Sequence, residues 1–342
     1  MIDWTDKHCR RFHREITKHS WLYTEMITTG ALVYGDRERF LAYNEEEHPV
    51  AFQIGESDPT DLAACARWVE QAGYDELNLN CGCPSERVQK GSFGACLMAE
   101  PELVADGVKA MKDACSLDVT VKHRIGLDYN ESEAQVFDFV GAVHEAGCNT
   151  FIVHARNAVL KGLSPKENRE IPPLRYDVVK RLKQHFPHLQ IILNGGITTL
   201  DEIEAHLAWA DGCMIGREAY SNPWLLSGFD ALIARHSDKT NTEEIQAKDR
   251  CLHQNERTRH DVVQALRAYV EAGLGKGESL RALTKSWLGL FHAQPGGRLY
   301  RQVLSDSVRL KENNWQVVQD ALNAMNKPIE QARLTSTPAC PG

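Results

Sequence analysis

Two thiols separated by one glycine, Cys81-Gly82-Cys83, follow the run Glu76 to Asn80 and precede Pro84. A thiol on a loop just past a strand end, held between glycine and proline, is placed to give a proton to a bound substrate. A free loop cysteine is the plain alternative. Ile192-Leu193-Asn194-Gly195-Gly196 ends one later run and Met214-Ile215-Gly216-Arg217 the next. Bare glycine backbone lets N–H groups approach an anion and arginine adds a fixed donor, so Asn194, Gly195, Gly196, Gly216 and Arg217 read as a phosphate site; a tight turn explains Gly-Gly as well. Lys122 lies in an apolar run, Val119-Thr120-Val121-Lys122, where burial calls for a nearby anion, an electron-rich ring or a structural salt bridge. With Gln53 and His154 it makes an amide and cationic set suited to flavin mononucleotide, whose reduced ring is negative on one side. His154 alone is an ordinary strand-end histidine.

These residues fall at the ends of short β-rich runs: Leu22 to Met26, Val50 to Ile54, Glu76 to Asn80, Val119 to Arg124, Thr150 to Ala155, Gln190 to Asn194 and Gly212 to Gly216. Helical patterns separate them over Pro59–Gly73, Pro101–Cys115 and Glu131–Gly147, two ending in Ala-Gly, where a left-handed stop is expected. Strands apolar almost throughout and alternating with helices mean a parallel sheet covered by helices, either a barrel or a doubly wound sheet. Ligand-type residues at nearly every strand end favour the (β/α)8 TIM barrel. Seven strands are visible, so the first of eight is expected to be missing, the chain entering at Ile2-Asp3-Trp4-Thr5.

The run from 237 to 260 is polar and reads as a linker. Residues 261–330 carry helical periodicity and predict a second, all-helical domain after a catalytic domain over 1–236, with a disordered tail over 331–342. Residues 261–330 hold nine Lys+Arg against seven Asp+Glu while the whole chain carries −8, which argues against indiscriminate nucleic-acid binding but leaves room for a local basic patch or a solvated face. None of the ten cysteines forms a CxxC, so neither a metal site nor a disulfide framework is expected. With no long apolar stretch and no signal-type opening, the chain is read as a cytoplasmic protein with no membrane association.

The segments DWTDKHCR, YTEMITTGALVYGDRERFLAYNEEEHPVAFQIG, ELNLNCGCPSERVQKGSFGACLM, VTVKHRIG, SPKENREIPPL and GREAYSNP closely resemble tRNA-dihydrouridine synthases of the A subfamily, from residue 2 to about 226 and more loosely to about 310. The resemblance implies an FMN-bound barrel with a helical tRNA-binding domain and NADPH as reductant. The implied reaction is reduction of the C5=C6 bond of D-loop uridines at positions 20 and 20a, with hydride to C6 and a proton to C5. It assigns Gln53, Lys122, His154, Asn194, Gly195, Gly196, Gly216 and Arg217 to the flavin and makes Cys83 the proton donor. Asn80 would hold the uridine, and Lys166, Arg169, Arg298 and Arg301 would contact tRNA. A monomer is expected. Family members carry a strand ending Ala-Pro-Met ahead of Asp-Trp-Thr-Asp, of which only Met1 is present here, and Cys81 stands where an apolar residue is usual. Rival readings are an FMN barrel reducing a free small molecule and a tRNA-binding protein with impaired catalysis.

Overall fold

A computed structural model describes residues 1–85, 91, 93–130, 132–237 and 257–335. They fall into two compact units, Met1–Thr5 with Trp21–Gly216, and Asp6–Ser20 with the described residues from Arg217 on. Among the described residues no helix is long and apolar enough to cross a membrane.

The first unit is one parallel sheet of seven strands: β1 (Leu22–Thr28), β2 (Val50–Gly55), β3 (Glu76–Cys81), β4 (Asp118–Arg124), β5 (Thr150–His154), β6 (Gln190–Asn194) and β7 (Gly212–Met214). Strand order follows chain order without reversal and every neighbouring pair is parallel. A doubly wound sheet would reverse at its switch point. Side chains two strands apart also meet: Tyr23 of β1 donates to Glu76 of β3 at 2.8 Å, and Lys122 of β4 to Asn194 of β6 at 2.9 Å. Inward residues that far apart converge only where a sheet curls, so this is the barrel type of α/β fold. Every residue of β2 and β3 is buried. β2 is accordingly apolar apart from Gln53, while β3 carries Glu76, Asn78 and Asn80 on alternate positions that face the interior rather than solvent.

Helices Pro59–Gln71, Pro101–Ala114, Ala134–Glu145, Tyr176–His185 and Leu200–Leu207 make crossovers. Asp58 caps the first by accepting from the N–H groups of Thr60 and Asp61, with Pro59 preset for the first turn. Gly73 (φ 91°) and Gly147 (φ 102°) adopt the left-handed stop expected of the two Ala-Gly pairs. Among the described residues no eighth strand pairs with the sheet. Residues 1–5 form a turn beside the ends of β7 and β1, with the Met1 sulfur 3.8 Å from where a Cβ on Gly216 would lie and the Asp3 N–H donating to Glu25.

The second unit is helical, including Arg259–Ala265, Arg267–Gly275, Gly297–Ser305 and Gln316–Thr335. Helix Lys7–Ile16, capped by Asp6, belongs to it: Phe12 is fully buried in the cluster of Val263, Leu266, Trp287 and Tyr300, its ring 5.8 Å from that of Trp287. The compact units divide at Gly216/Arg217, upstream of the polar run, because contacts rather than composition define them. Most of the expected linker, 238–256, lies outside the described residues, as do 336–342. Over 331–335, read from sequence as tail, the last helix continues.

Phe12→Ala should lower the stability of the helical unit by about 3–5 kcal/mol, the usual cost of emptying a buried aromatic site. Denaturant unfolding followed by tryptophan fluorescence measures this, and a loss below about 1 kcal/mol would show that residues 6–20 are not part of that core.

Candidate active site

The sheet register brings the sequence-predicted residues to one end of the barrel. Gln53 is level with Asn78, Asn80 with Lys122, and His154 with Asn194. Parallel strands all present their carboxyl ends on one face, so residues far apart in sequence share a mouth.

Lys122 is half-buried, and its ammonium donates to Asn194 Oδ1 at 2.9 Å, while Asn194 Nδ2 donates to the Met214 carbonyl at 2.8 Å. Among the described residues no carboxylate lies within ion-pair distance of Lys122, so a structural salt bridge is not what holds it. Burial, followed by the Arg124 guanidinium, pushes its pKa down to about 7, with the Cys83 side chain acting the other way. Arg124, at the end of the same strand, is buried and points its donors at three backbone carbonyls: Nε to Gly82 at 3.2 Å, and Nη1 to Asn157 at 3.3 Å and Asn168 at 3.0 Å. It ties the thiol loop to the loop after β5. Burial, opposed by Cys83 and reinforced by Arg169 and Arg156, lowers it to about 10.

Cys83 is partly exposed and its loop is fixed from below. The N–H groups of Gly82 and Cys83 donate to Asn80 Oδ1 at 3.1 and 3.0 Å, and the Cys83 carbonyl accepts from Ala95 N–H at 2.9 Å. Cys81, by contrast, is completely buried and burial pushes its thiol far up, which makes it inert packing. Asn80 also donates through Nδ2 to Gln53 Oε1 at 3.0 Å. Its amide is thus committed to the loop and to Gln53, with one Nδ2 hydrogen left over.

His154 is half-buried and packs over the Gly-Gly turn. Gly195 (φ 116°) and Gly196 (φ 73°) are both left-handed; a Cβ on the first would come within 2.5 Å of the His154 ring and on the second within 2.5 Å of Leu174. Tyr176 donates to the Gly195 carbonyl at 2.6 Å, so the turn is built as well as permitted. Gly216 ends the first unit and Arg217 opens helix Arg217–Ser221 of the second. Lys166 is exposed and Arg169 half-exposed around the short helix Glu167–Arg169, whose Asn168 is fully buried, accepting from Val159 N–H and donating to its carbonyl. In the second unit Arg298 and Arg301 are exposed on the helix whose other face buries Tyr300 and Leu304, as their spacing of three predicts. The sequence reading missed Arg124, Glu76, Asn78 and Thr120. Its available signal was the period-two polar pattern Glu76, Asn78, Asn80 inside a wholly buried strand.

The mouth fits an anionic, partly planar ligand: its donors are amides, a Gly-Gly backbone bare of side chains and a lysine with no carboxylate beside it among the described residues. The depressed Lys122 sets a sign for pH dependence. Between pH 7 and the ordinary lysine range the unfolded chain holds a proton at this site that the ligand-free folded protein lacks, so this residue makes stability rise with pH across that window. Compared with Lys122→Met, the ligand-free wild type should therefore gain relative stability from pH 7 to pH 9 in denaturant titrations; a constant difference would mean the ammonium is not depressed.

The dihydrouridine synthase (Dus) family model matches residues 1–326. A tRNA-dihydrouridine(20/20a) synthase of Pseudomonas syringae pv. tomato is 52% identical over 313 residues, covering 92% of this chain and 88% of the relative. That of Pseudomonas aeruginosa is 51% identical over 325 residues (95% and 93%), and that of Escherichia coli O6:H1 50% over 323 residues (94% and 92%). A solved structure of morphinone reductase in complex with tetrahydroNAD matches at 12% identity with a TM-score of 0.48, covering 67% of this chain and 82% of that one. A match along nearly the whole chain, joined to a thiol loop and a cationic mouth on one barrel face, means that this chain belongs to the dihydrouridine synthase family.

Proposed function

We propose that this protein is an FMN- and NADPH-dependent tRNA-dihydrouridine synthase that reduces the C5=C6 bond of D-loop uridines at positions 20 and 20a, acting as a monomer in the cytoplasm. The observation that carries the reading is the meeting, at one mouth, of a fixed thiol loop with the Lys122–Asn194 pair. The names of the relatives supply the substrate.

Lys122, Gln53 and His154 would hold the flavin ring, and the Asn194-Gly195-Gly196 turn with Gly216 and Arg217 its phosphate. An ammonium held near pH 7 when the mouth is empty becomes fully charged once an anion sits against it. A flavin held there would supply the hydride for C6, with NADPH as its reductant. A uridine must leave its stack to reach such a mouth. The remaining Asn80 Nδ2 hydrogen is available to it, and Cys83 delivers the proton to C5 from a loop that the Asn80 carbonyl oxygen keeps in one position. Lys166 and Arg169 would take phosphates of the tRNA beside the mouth, and Arg298 and Arg301 others on the helical unit. Reduction of a free pyrimidine would give these exposed cations no purpose.

Cys83→Ala should retain FMN and tRNA affinity and slow uridine reduction by about 100-fold or more, the range for a positioned acid. Single-turnover oxidation of reduced flavin by tRNA reads this, and an unchanged rate would remove Cys83 from the chemistry.

Removing Arg298 and Arg301 together should weaken tRNA binding and reduce its salt dependence by about two phosphate equivalents at most, leaving flavin content unchanged. Equal binding across a salt titration would show that the helical unit is not the docking surface.

A further inference from the structure

Inside the barrel, below the mouth, an unbroken chain of side-chain hydrogen bonds runs from Glu76, at the amino end of β3, to the thiol loop. Tyr23 and Thr120 hydroxyls donate to Glu76 Oε1 at 2.8 and 2.6 Å. Asn78 Nδ2 donates to Thr120 Oγ1 at 2.7 Å, and Gln53 Nε2 to Asn78 Oδ1 at 2.8 Å. Asn80 Nδ2 donates to Gln53 Oε1 at 3.0 Å, and Asn80 Oδ1 receives the N–H groups of Gly82 and Cys83. All six side chains except Tyr23 are buried with 9% or less of their surface exposed.

Every bond in this chain points toward Glu76. Burial raises the pKa of the Glu76 carboxyl, and the Thr120 and Tyr23 hydroxyls that donate to its Oε1 act the other way. Having given its hydrogen to Glu76, the Thr120 hydroxyl must accept from Asn78, and each amide in turn has its oxygen and nitrogen assigned by the one before. Reversed, the chain would present Asn80 Nδ2 to the Cys83 N–H, donor against donor, and the loop would come loose. Buried networks of this kind are stable only when every member is satisfied in one consistent direction.

We propose that Glu76 is a positioning residue for the reduction chemistry: its carboxylate sets the direction of the amide chain and thereby both holds the Cys83 loop and fixes which end of Gln53 faces the flavin. Its neighbours in the chain, Thr120 and Asn78, transmit that setting. The inference deepens the proposed function and rests on it for the roles of Gln53 and Cys83.

The test uses Glu76→Gln, which can donate as well as accept, and Thr120→Val, which breaks the chain while keeping volume; Thr120→Ser restores the hydroxyl. In the two disruptive variants hydrogen exchange at the Gly82 and Cys83 amides should quicken by about tenfold or more, because their acceptor is no longer fixed. Flavin affinity, read by fluorescence quenching, should fall, and single-turnover reduction should slow by about tenfold or more at saturating flavin and tRNA. The double variant should be no worse than the poorer single one, since both cut one chain. Thr120→Ser should match wild type throughout. Wild-type exchange at Gly82 and Cys83 in both disruptive variants overturns the proposal, as does a wild-type rate in folded, flavin-saturated Thr120→Val. Failure of the wild-type protein to oxidise its flavin with tRNA would instead refute the functional reading and leave the exchange result standing.

Discussion

The hydrogen bond from Lys122 to Asn194 spans two strands of the sheet, and the site depends on the curl that permits it. A flat sheet holds side chains two strands apart at nearly 10 Å of backbone separation. Here β4, β5 and β6 bend until an ammonium on one meets an amide on the other. The same curvature lets Tyr23 reach Glu76 across β2. Closing the interior in this way removes water from groups that would otherwise be solvated, so each buried polar atom must find a partner or a ligand. The lower interior answers with the Glu76 chain. The mouth answers only in part, because Lys122 has a neutral amide in place of a counter-charge, and that shortfall is what suits the mouth to an anionic ligand.

Seven strands, their parallel arrangement and most of the mouth were legible in the sequence because each leaves a local trace. An apolar run ends in a polar residue, a glycine pair follows a strand, and Ala-Gly closes a helix. Gln53, Lys122, His154 and Asn194 could be picked out one at a time for this reason. Arg124 could not: its partners are backbone carbonyls of Gly82, Asn157 and Asn168, and a carbonyl carries no sequence signature. Nor could the direction of the Gln53, Asn78 and Asn80 amides, which depends on a carboxylate elsewhere on β3 and a hydroxyl on β4.

Composition and compactness mark different divisions of this chain. The polar run after residue 237 marks where the chain changes character, whereas compactness is a matter of what packs on what. Helix Lys7–Ile16 is strongly charged by composition, with Arg10, Arg11 and Arg14, yet all three are buried in the second unit, and Arg11 and Arg14 pair locally. Arg11 meets Glu15 at 2.6 Å, Arg257 meets the same carboxylate at 2.6 Å, and Arg14 donates to the carbonyls of Thr17 and Ser20. Phe12 then fills the core from between them. Charge counts see solvated arginines where the fold has buried, ion-paired ones.

An acidic chain that works on a polyanion needs its cations placed rather than plentiful. At net −8 the long-range field repels nucleic acid, so attraction is confined to distances within a Debye length, about 8 Å at physiological salt, of particular basic side chains. Lys166 and Arg169 lie on a loop that Asn168 anchors by hydrogen bonds at its buried centre, while Arg298 and Arg301 ride on a helix whose other face is core. On the proposed reading, a few cations held on such ordered supports favour a folded RNA, whose phosphates have fixed positions, over an unstructured strand of the same charge. Selectivity for a shaped substrate would then follow from the scarcity of positive charge, because the cations at the mouth are committed elsewhere: the half-buried Lys122 to Asn194 and the buried Arg124 to backbone carbonyls.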